Sequence, residues 1–398
     1  MKKYVFAVCF AGFFFLSAAA AQTGTEDPAA VLYVRASGDD GNKGLSEETA
    51  LRTLAKAVDA AGNGGVKTIM VIGELNEASE GLTRLRRDQE SVFYINHSGG
   101  SGITIRGLDQ EAVLSARGSG KRVAKIEGGA EIRLENITVT GGRAENGGGF
   151  FIADAALSLG DGVLVRDNRA VVDGGGLILE SGTLVVSGTA VIRGNHAGDD
   201  GGGIYAAGGT VVLGGNSRLE NNLADCGGGV CIDAGSSFTM EDHPVVIGNK
   251  AAGPQGTGGG LCVGIYSVIV MKGGSVLDNK ARRGAGVYNA GGEFTLEGGG
   301  VIGNIARDRG GGIYAEYGRV TLNAGTITVN RAASGGGVYA GPAYTQSAGV
   351  DISGNVPDNI TGVTPGIKSP PEVHRHPSSP AGYTPGYRNG GPEFRRTP

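Results

Sequence analysis

No tryptophan occurs in this chain, and only four cysteines do. So little sulfur excludes a miniature domain framed by disulfides, and packing must hold the fold. Long hydrophobic runs are missing too, since a membrane-crossing helix takes about 20 apolar residues. The longest run, Tyr4 to Leu16, follows Met1-Lys2-Lys3 and precedes Ala18-Ala19-Ala20-Ala21. Charge, a short apolar stretch and small residues in that order predict a secretory signal peptide over residues 1–21, cut after Ala21. The expected location is therefore outside the cytoplasm: extracellular, at the cell surface or periplasmic. Excess basic charge is also lacking, with a formal net charge of −4. A mildly acidic chain excludes nucleic acid as a partner, because that affinity rests on neutralising phosphates.

Glycine is what the chain has in abundance, at 77 of 398 residues. No collagen triplet accompanies it, which leaves repeated tight turns as the reason for so much of it. A glycine triplet followed by an apolar residue recurs before Phe150, Leu177, Ile204, Val230, Leu261, Ile313 and Val338, with Gly284-Ala285-Gly286 as the variant before Val287. Ahead of each triplet after the first stands Asn-x-Ala, beginning at Asn168, Asn195, Asn222, Asn249, Asn279, Asn304 and Asn330, and Gly142-Arg143-Ala144 takes that place before the first. These asparagines are 27, 27, 27, 30, 25 and 26 residues apart. Such a period suits one turn of a three-sided solenoid.

Within a unit the apolar residues fall into three short runs. Ile204-Tyr205-Ala206, Thr210-Val211-Val212-Leu213 and Ser217-Arg218-Leu219-Glu220 are examples, separated by Gly and Asn. Alternation and β-branching mark strands, and the Gly/Asn clusters mark turns. The fold class expected is all-β, a right-handed parallel β-helix over residues 141–362. Each turn alone buries nothing, whereas stacked turns share one apolar column. Residues 31–140 carry less regular strands and should form the first turns with an N-terminal cap. Apolar spacing over Leu51, Leu54, Ala57, Val58 and Ala61 predicts the capping helix. Residues 363–398, rich in Pro, Gly, Ser and Arg, predict a disordered tail.

Two resemblances follow from these motifs. Leu32-Tyr33-Val34-Arg35-Ala36-Ser37-Gly38-Asp39-Asp40-Gly41-Asn42, with Thr53-Leu54-Ala55-Lys56-Ala57-Val58 after it, resembles the opening of pectate-lyase-like parallel β-helix proteins. The repeats resemble the polymorphic membrane proteins of chlamydiae and adhesin-like proteins of spirochaetes. Gly201-Gly202-Gly203-Ile204 is similar to their GGA-[ILV] motif, and Ile192-Arg193-Gly194-Asn195 to their FxxN motif. The second resemblance implies a surface adhesin. The chain departs from it in having no stretch after Gly362 that could supply the alternating strands of a membrane barrel.

Four features carry the functional expectations. A buried asparagine column at a turn can satisfy backbone groups and its own neighbours, so Asn168, Asn195, Asn222, Asn249, Asn279, Asn304 and Asn330 read as a structural ladder. The residue two after each triplet should face outward, placing Phe151, Tyr205, Tyr288, Tyr314 and Tyr339 in an aromatic column suited to a sugar or protein ligand. Asp173, Asp199, Asp200 and Asp225 stand one or two residues before a triplet, with His196 near them in sequence. They are open to three readings: ordinary turn residues, oxygen ligands for Ca²⁺, or the acid and base of a glycosidase. Cys231 and Cys262, one turn apart in the outward column, are candidates for a disulfide. No cofactor other than Ca²⁺ is expected. The leading expectation is a non-catalytic, adhesin-like solenoid binding a host or envelope glycan or protein. The alternative is a polysaccharide-cleaving β-helix enzyme using the aspartates.

Overall fold

The structure, a computed structural model, describes residues 31–64, 66–80, 89–96, 102–315 and 317–362. The predicted signal peptide and tail lie outside the described residues. Between them the chain forms a parallel β-solenoid of about 10 turns.

Local sequence explains the strands. In Thr210–Leu213 the branched residues alternate, with Val211 and Leu213 wholly buried while Thr210 stays exposed. Every strand pairs in parallel with the equivalent strand of the turns before and after it. Three long sheets of 12, 11 and 11 strands result. The apolar residue after each triplet points inward, and Leu177, Ile204, Val230, Leu261, Val287, Ile313 and Val338 are each 0% exposed. The other two sheets supply matching columns, Leu184-Val211-Phe238-Ile269-Phe294 and Val165-Ile192-Leu219-Val246-Val276. One continuous core runs the length of the solenoid.

The turn differs from a plain triangle at one corner. The Asn-x-Ala segments pair with one another and make a short fourth side. Arg143–Ala144 pairs with Arg169–Ala170. Further along, Leu223–Ala224, Lys250–Ala251, Lys280–Arg283 and Ile305–Arg309 form a four-stranded ladder. Ala170, Ala197, Ala224, Ala251 and Ala306 of this corner are buried, which is why a methyl recurs there; the first three make a small cluster of their own.

The triplet glycines answer to two constraints. The first of each has positive φ, as at Gly201 (64°) and Gly310 (62°), a region that costs an L side chain. A Cβ on the third would sit against the next turn's backbone, 2.6 Å from the Gly229 carbonyl oxygen in the case of Gly203. The second position is as tight, with a Cβ on Gly202 2.5 Å from the Gly228 carbonyl oxygen, and in one turn Ala285 occupies it.

At the N-terminal end the expected helix spans Leu54–Gly64 and buries Leu54, Ala57, Val58 and Ala61 over the first turns. Thr53 caps it, its hydroxyl accepting the Lys56 N–H at 3.1 Å. The buried Glu80 carboxylate accepts the Leu54 N–H at 2.6 Å, placing negative charge at the positive end of the helix dipole. A second, short helix, Glu77–Glu80, carries that carboxylate.

Candidate functional site

The asparagine column forms a ladder at the corner. Each side-chain amide donates to the Oδ1 of the next asparagine, from Asn168 to Asn195 and onward to Asn355, at 3.0–3.1 Å. The other amide hydrogen goes to a carbonyl of the turn before, such as Leu219 O for Asn249 at 2.9 Å. The same Oδ1 also accepts the backbone N–H of the preceding asparagine. Every polar atom of a buried amide is thus used, in a place where the bending chain would otherwise leave backbone groups unpaired.

The aromatic column stacks as strand pairing requires. Tyr288 and Tyr314 lie ring on ring with centroids 5.4 Å apart, and Tyr314 and Tyr339 at 5.1 Å. Its exposure differs from expectation. Tyr314 is 1% exposed and Tyr205 7%; Phe151, Tyr288 and Tyr339 are half-buried. The corner explains this. The first glycine of each triplet folds back over the strand, so that a Cβ on Gly310 would lie 2.6 Å from the Cβ of Tyr314. Outward from the main core is not outward to solvent here. Ile178, Tyr205, Cys231 and Cys262 form a second apolar cluster under the corner, with Phe151 and Tyr288 packed against it. Burial first, then the nearby Cys231 and aspartate charges, pushes the Tyr205 hydroxyl far above its ordinary range.

Cations lie over three of these rings. Arg122 and Lys125 sit over Phe151, at 4.7 and 5.4 Å from its centroid. Arg283 lies over Tyr314 at 5.9 Å and Arg309 over Tyr339 at 5.1 Å. Such contacts favour rings that are held rather than offered.

The four aspartates occupy the same corner but do not converge. Asp173 and Asp200 are buried, and Asp173 Oδ1 accepts the Asp200 backbone N–H at 3.0 Å. Asp225 Oδ1 accepts the Gly256 N–H at 3.1 Å. Both bonds hold one turn to the next, the work expected of turn residues. Among the described residues, only Cys226, Cys231 and Cys262 form a group of three metal-capable side chains with ligand atoms all within 4.8 Å. His196 is in register between Arg169 and Leu223. Burial, and next Arg169, holds its imidazole below the ordinary range.

The three cysteines are free thiols that gather at this corner. Cys231 and Cys262 are in register on adjacent turns, and the sulfurs of Cys226 and Cys262 lie 2.6 Å apart. Parallel neighbours in a sheet send their side chains out side by side. Cys226 stands on the corner just before its triplet, in register with Asp200 and Thr257.

A feature that sequence reasoning passed over is the charge of the corner itself. The variable residue of Asn-x-Ala lines up as Arg169, His196, Leu223, Lys250, Lys280, Ile305 and Arg331, with Arg143 of Gly142-Arg143-Ala144 ahead of them. No carboxylate occupies this column. Beside it, Asp199 and Asp225 stand at the N-terminal turns, whereas Arg282 and Arg307 stand at the C-terminal ones. The pre-triplet position changes likewise, from Asp173 and Asp200 through Cys226 and Thr257 to Arg283 and Arg309. Aligning the units by their asparagines, rather than by the triplets alone, would have exposed this column. An open groove follows the basic part, floored by Ala252, Gly253 and Pro254 and edged by Lys250, Lys280 and Arg307.

No family model matches this chain, and no curated protein or solved structure matches it with significance. Among the described residues, no helix is long and apolar enough to cross a membrane.

Proposed function

We propose that this protein is an exported, adhesin-like β-solenoid that binds a glycan or protein ligand along its long side without catalysis. One observation carries the reading. Equivalent side chains recur turn after turn in straight columns, while two of the four carboxylates nominated for chemistry, those of Asp173 and Asp225, are tied to backbone amides of the next turn. A repeated surface suits an extended ligand, whereas catalysis calls for a few groups converging on one point. The resemblance of the repeats to polymorphic membrane proteins and spirochaete adhesin-like proteins supports the same reading. So does the predicted signal peptide, which would deliver the chain to the cell surface, the periplasm or the medium.

A glycan-array screen of the protein from Gln22 onward, with and without Ca²⁺, tests this together with reducing-end release on the polysaccharides bound. Binding without cleavage is expected. Cleavage abolished by Asp200→Asn would replace the proposal with a polysaccharide-active enzyme.

A further inference from the structure

We infer that the C-terminal half of the corner is a binding edge for a sulfated polysaccharide. The inference rests on the binding reading above and adds the chemistry of the ligand. Over four turns the edge presents Lys250, Lys280 and Arg331 in one column and Arg282 and Arg307 in the next, all exposed. Arg283 and Arg309 follow in the pre-triplet column. Against these seven cations the same corner segments hold one carboxylate, Asp308, which pairs with Arg282 at 2.6 Å. In a chain of net charge −4 this is a concentrated positive edge.

Geometry selects the partner. Rungs repeat every ~4.8 Å, so the edge runs ~14 Å along the axis, in step with a linear polymer bearing an acidic group on every sugar or two. Arg and Lys heads on such a line neutralise successive sulfates and release their counterions, as on other polyanions. A nucleic acid duplex is a poor match, because the line meets Asp225 and Asp199 as soon as it is extended toward the N-terminus.

The test uses a heparin dodecasaccharide in calorimetry against the protein from Gln22 onward. The variant Lys280→Gln/Arg307→Gln/Arg331→Gln is compared with Arg166→Gln/Arg193→Gln/Lys272→Gln, which removes the same charge from other faces. Binding at least tenfold weaker in the first and within twofold of wild type in the second is expected, with unchanged thermal melts. Equal loss in both, or none in the first, overturns the edge while leaving the protein a binder. Tighter binding of a DNA oligomer or of phosphatidylserine vesicles overturns the choice of a sulfated glycan. Depolymerisation of the heparin would instead remove the non-catalytic reading itself.

A second inference rests on the three thiols, independently of any ligand. The geometry points to a disulfide between Cys226 and Cys262, with Cys231 left as the odd thiol. Their sulfurs, 2.6 Å apart, are well inside van der Waals contact. Two thiolates on one tetrahedral Zn²⁺, each about 2.3 Å from the ion, would stand about 3.8 Å apart. Contact with Cys226, then burial and the Asp200 charge, keeps the thiols of Cys231 and Cys262 protonated well above the ordinary range. A neutral disulfide fits that setting better than a cluster of thiolates. To form it, the two thiols give up two protons and two electrons to a small-molecule disulfide, which leaves as two thiols. The bond would join adjacent turns where the repeat is longest, between Asn249 and Asn279.

Equilibration with oxidised glutathione, alkylation under denaturing conditions and tandem mass spectrometry decide the matter. A Cys226–Cys262 link with Cys231 alkylated is expected, and Cys231→Ser should keep the link. A Cys231–Cys262 link, three alkylated cysteines, or one equivalent of tightly held zinc would each overturn it.

Discussion

Asn249 shows what a single residue holds in this fold. Its amide donates to Leu219 O and Asn279 Oδ1, and its Oδ1 accepts both the backbone N–H and the amide of Asn222. Asn249→Ala removes four buried hydrogen bonds and strips partners from the Asn222 backbone N–H, one Asn222 amide hydrogen and the Leu219 carbonyl. Each costs about 1–3 kcal/mol. A loss of about 3 kcal/mol or more in urea unfolding is expected; an unchanged midpoint would show that the ladder is dispensable. His196 makes a prediction of a different kind. Burial and Arg169 lower its pKa from 6.5, so the folded state favours the neutral ring. Its contribution is therefore whole above pH 6.5 and is lost as pH falls through the depressed folded value. Melts at pH 7.5 and 5 should show a smaller acid loss in His196→Gln than in the wild-type protein.

At the scale of elements, the N-terminal cap depends on a contact far apart in sequence. Glu80 reaches the first N–H groups of the Leu54–Gly64 helix from a separate short helix. Glu80→Ala should cost about 2 kcal/mol, from a lost charged bond and an unfavoured helix dipole. Hydrogen exchange should quicken at amides 54–61 first and leave those of 204–301 unchanged. Faster exchange throughout would mean that cap and solenoid unfold as one unit. The capping helix was legible in its apolar spacing, displaced by three residues at its start. Its carboxylate partner was not, because nothing local ties position 80 to position 54. The corner tells a similar story. Asn-x-Ala was visible as a motif, yet its becoming a paired fourth side depends on turns meeting in space.

The whole molecule behaves as a stack of nearly equivalent turns. Deleting residues 195–221 removes one 27-residue unit and brings Asn168 against Asn222, with Phe151, Ile178 and Cys231 in line. Stability in such a stack is roughly a sum of turns and the interfaces between them. The shortened protein is expected to fold, with β-sheet circular dichroism per residue unchanged and a lower melting temperature. Loss of cooperative melting would show that the turns are not interchangeable. The acidic and basic halves of the corner belong to this scale as well, since no single unit reveals that charge changes sign along the axis.

The sequence alone determined the repeat, its period, the inward columns and the ladder asparagines. All of these are periodic, and a solenoid turns period directly into contact. Only the tertiary structure decided which outward residues reach solvent. Tyr205 and Tyr314 obey strand alternation and still lie buried, because the corner folds back across their face. The same fold-back set Cys226 against Cys262 and tied Asp173 and Asp225 to neighbouring backbone. A chain bending over its own strand follows neither the strand's period nor the turn's, so no spacing in the sequence announces it.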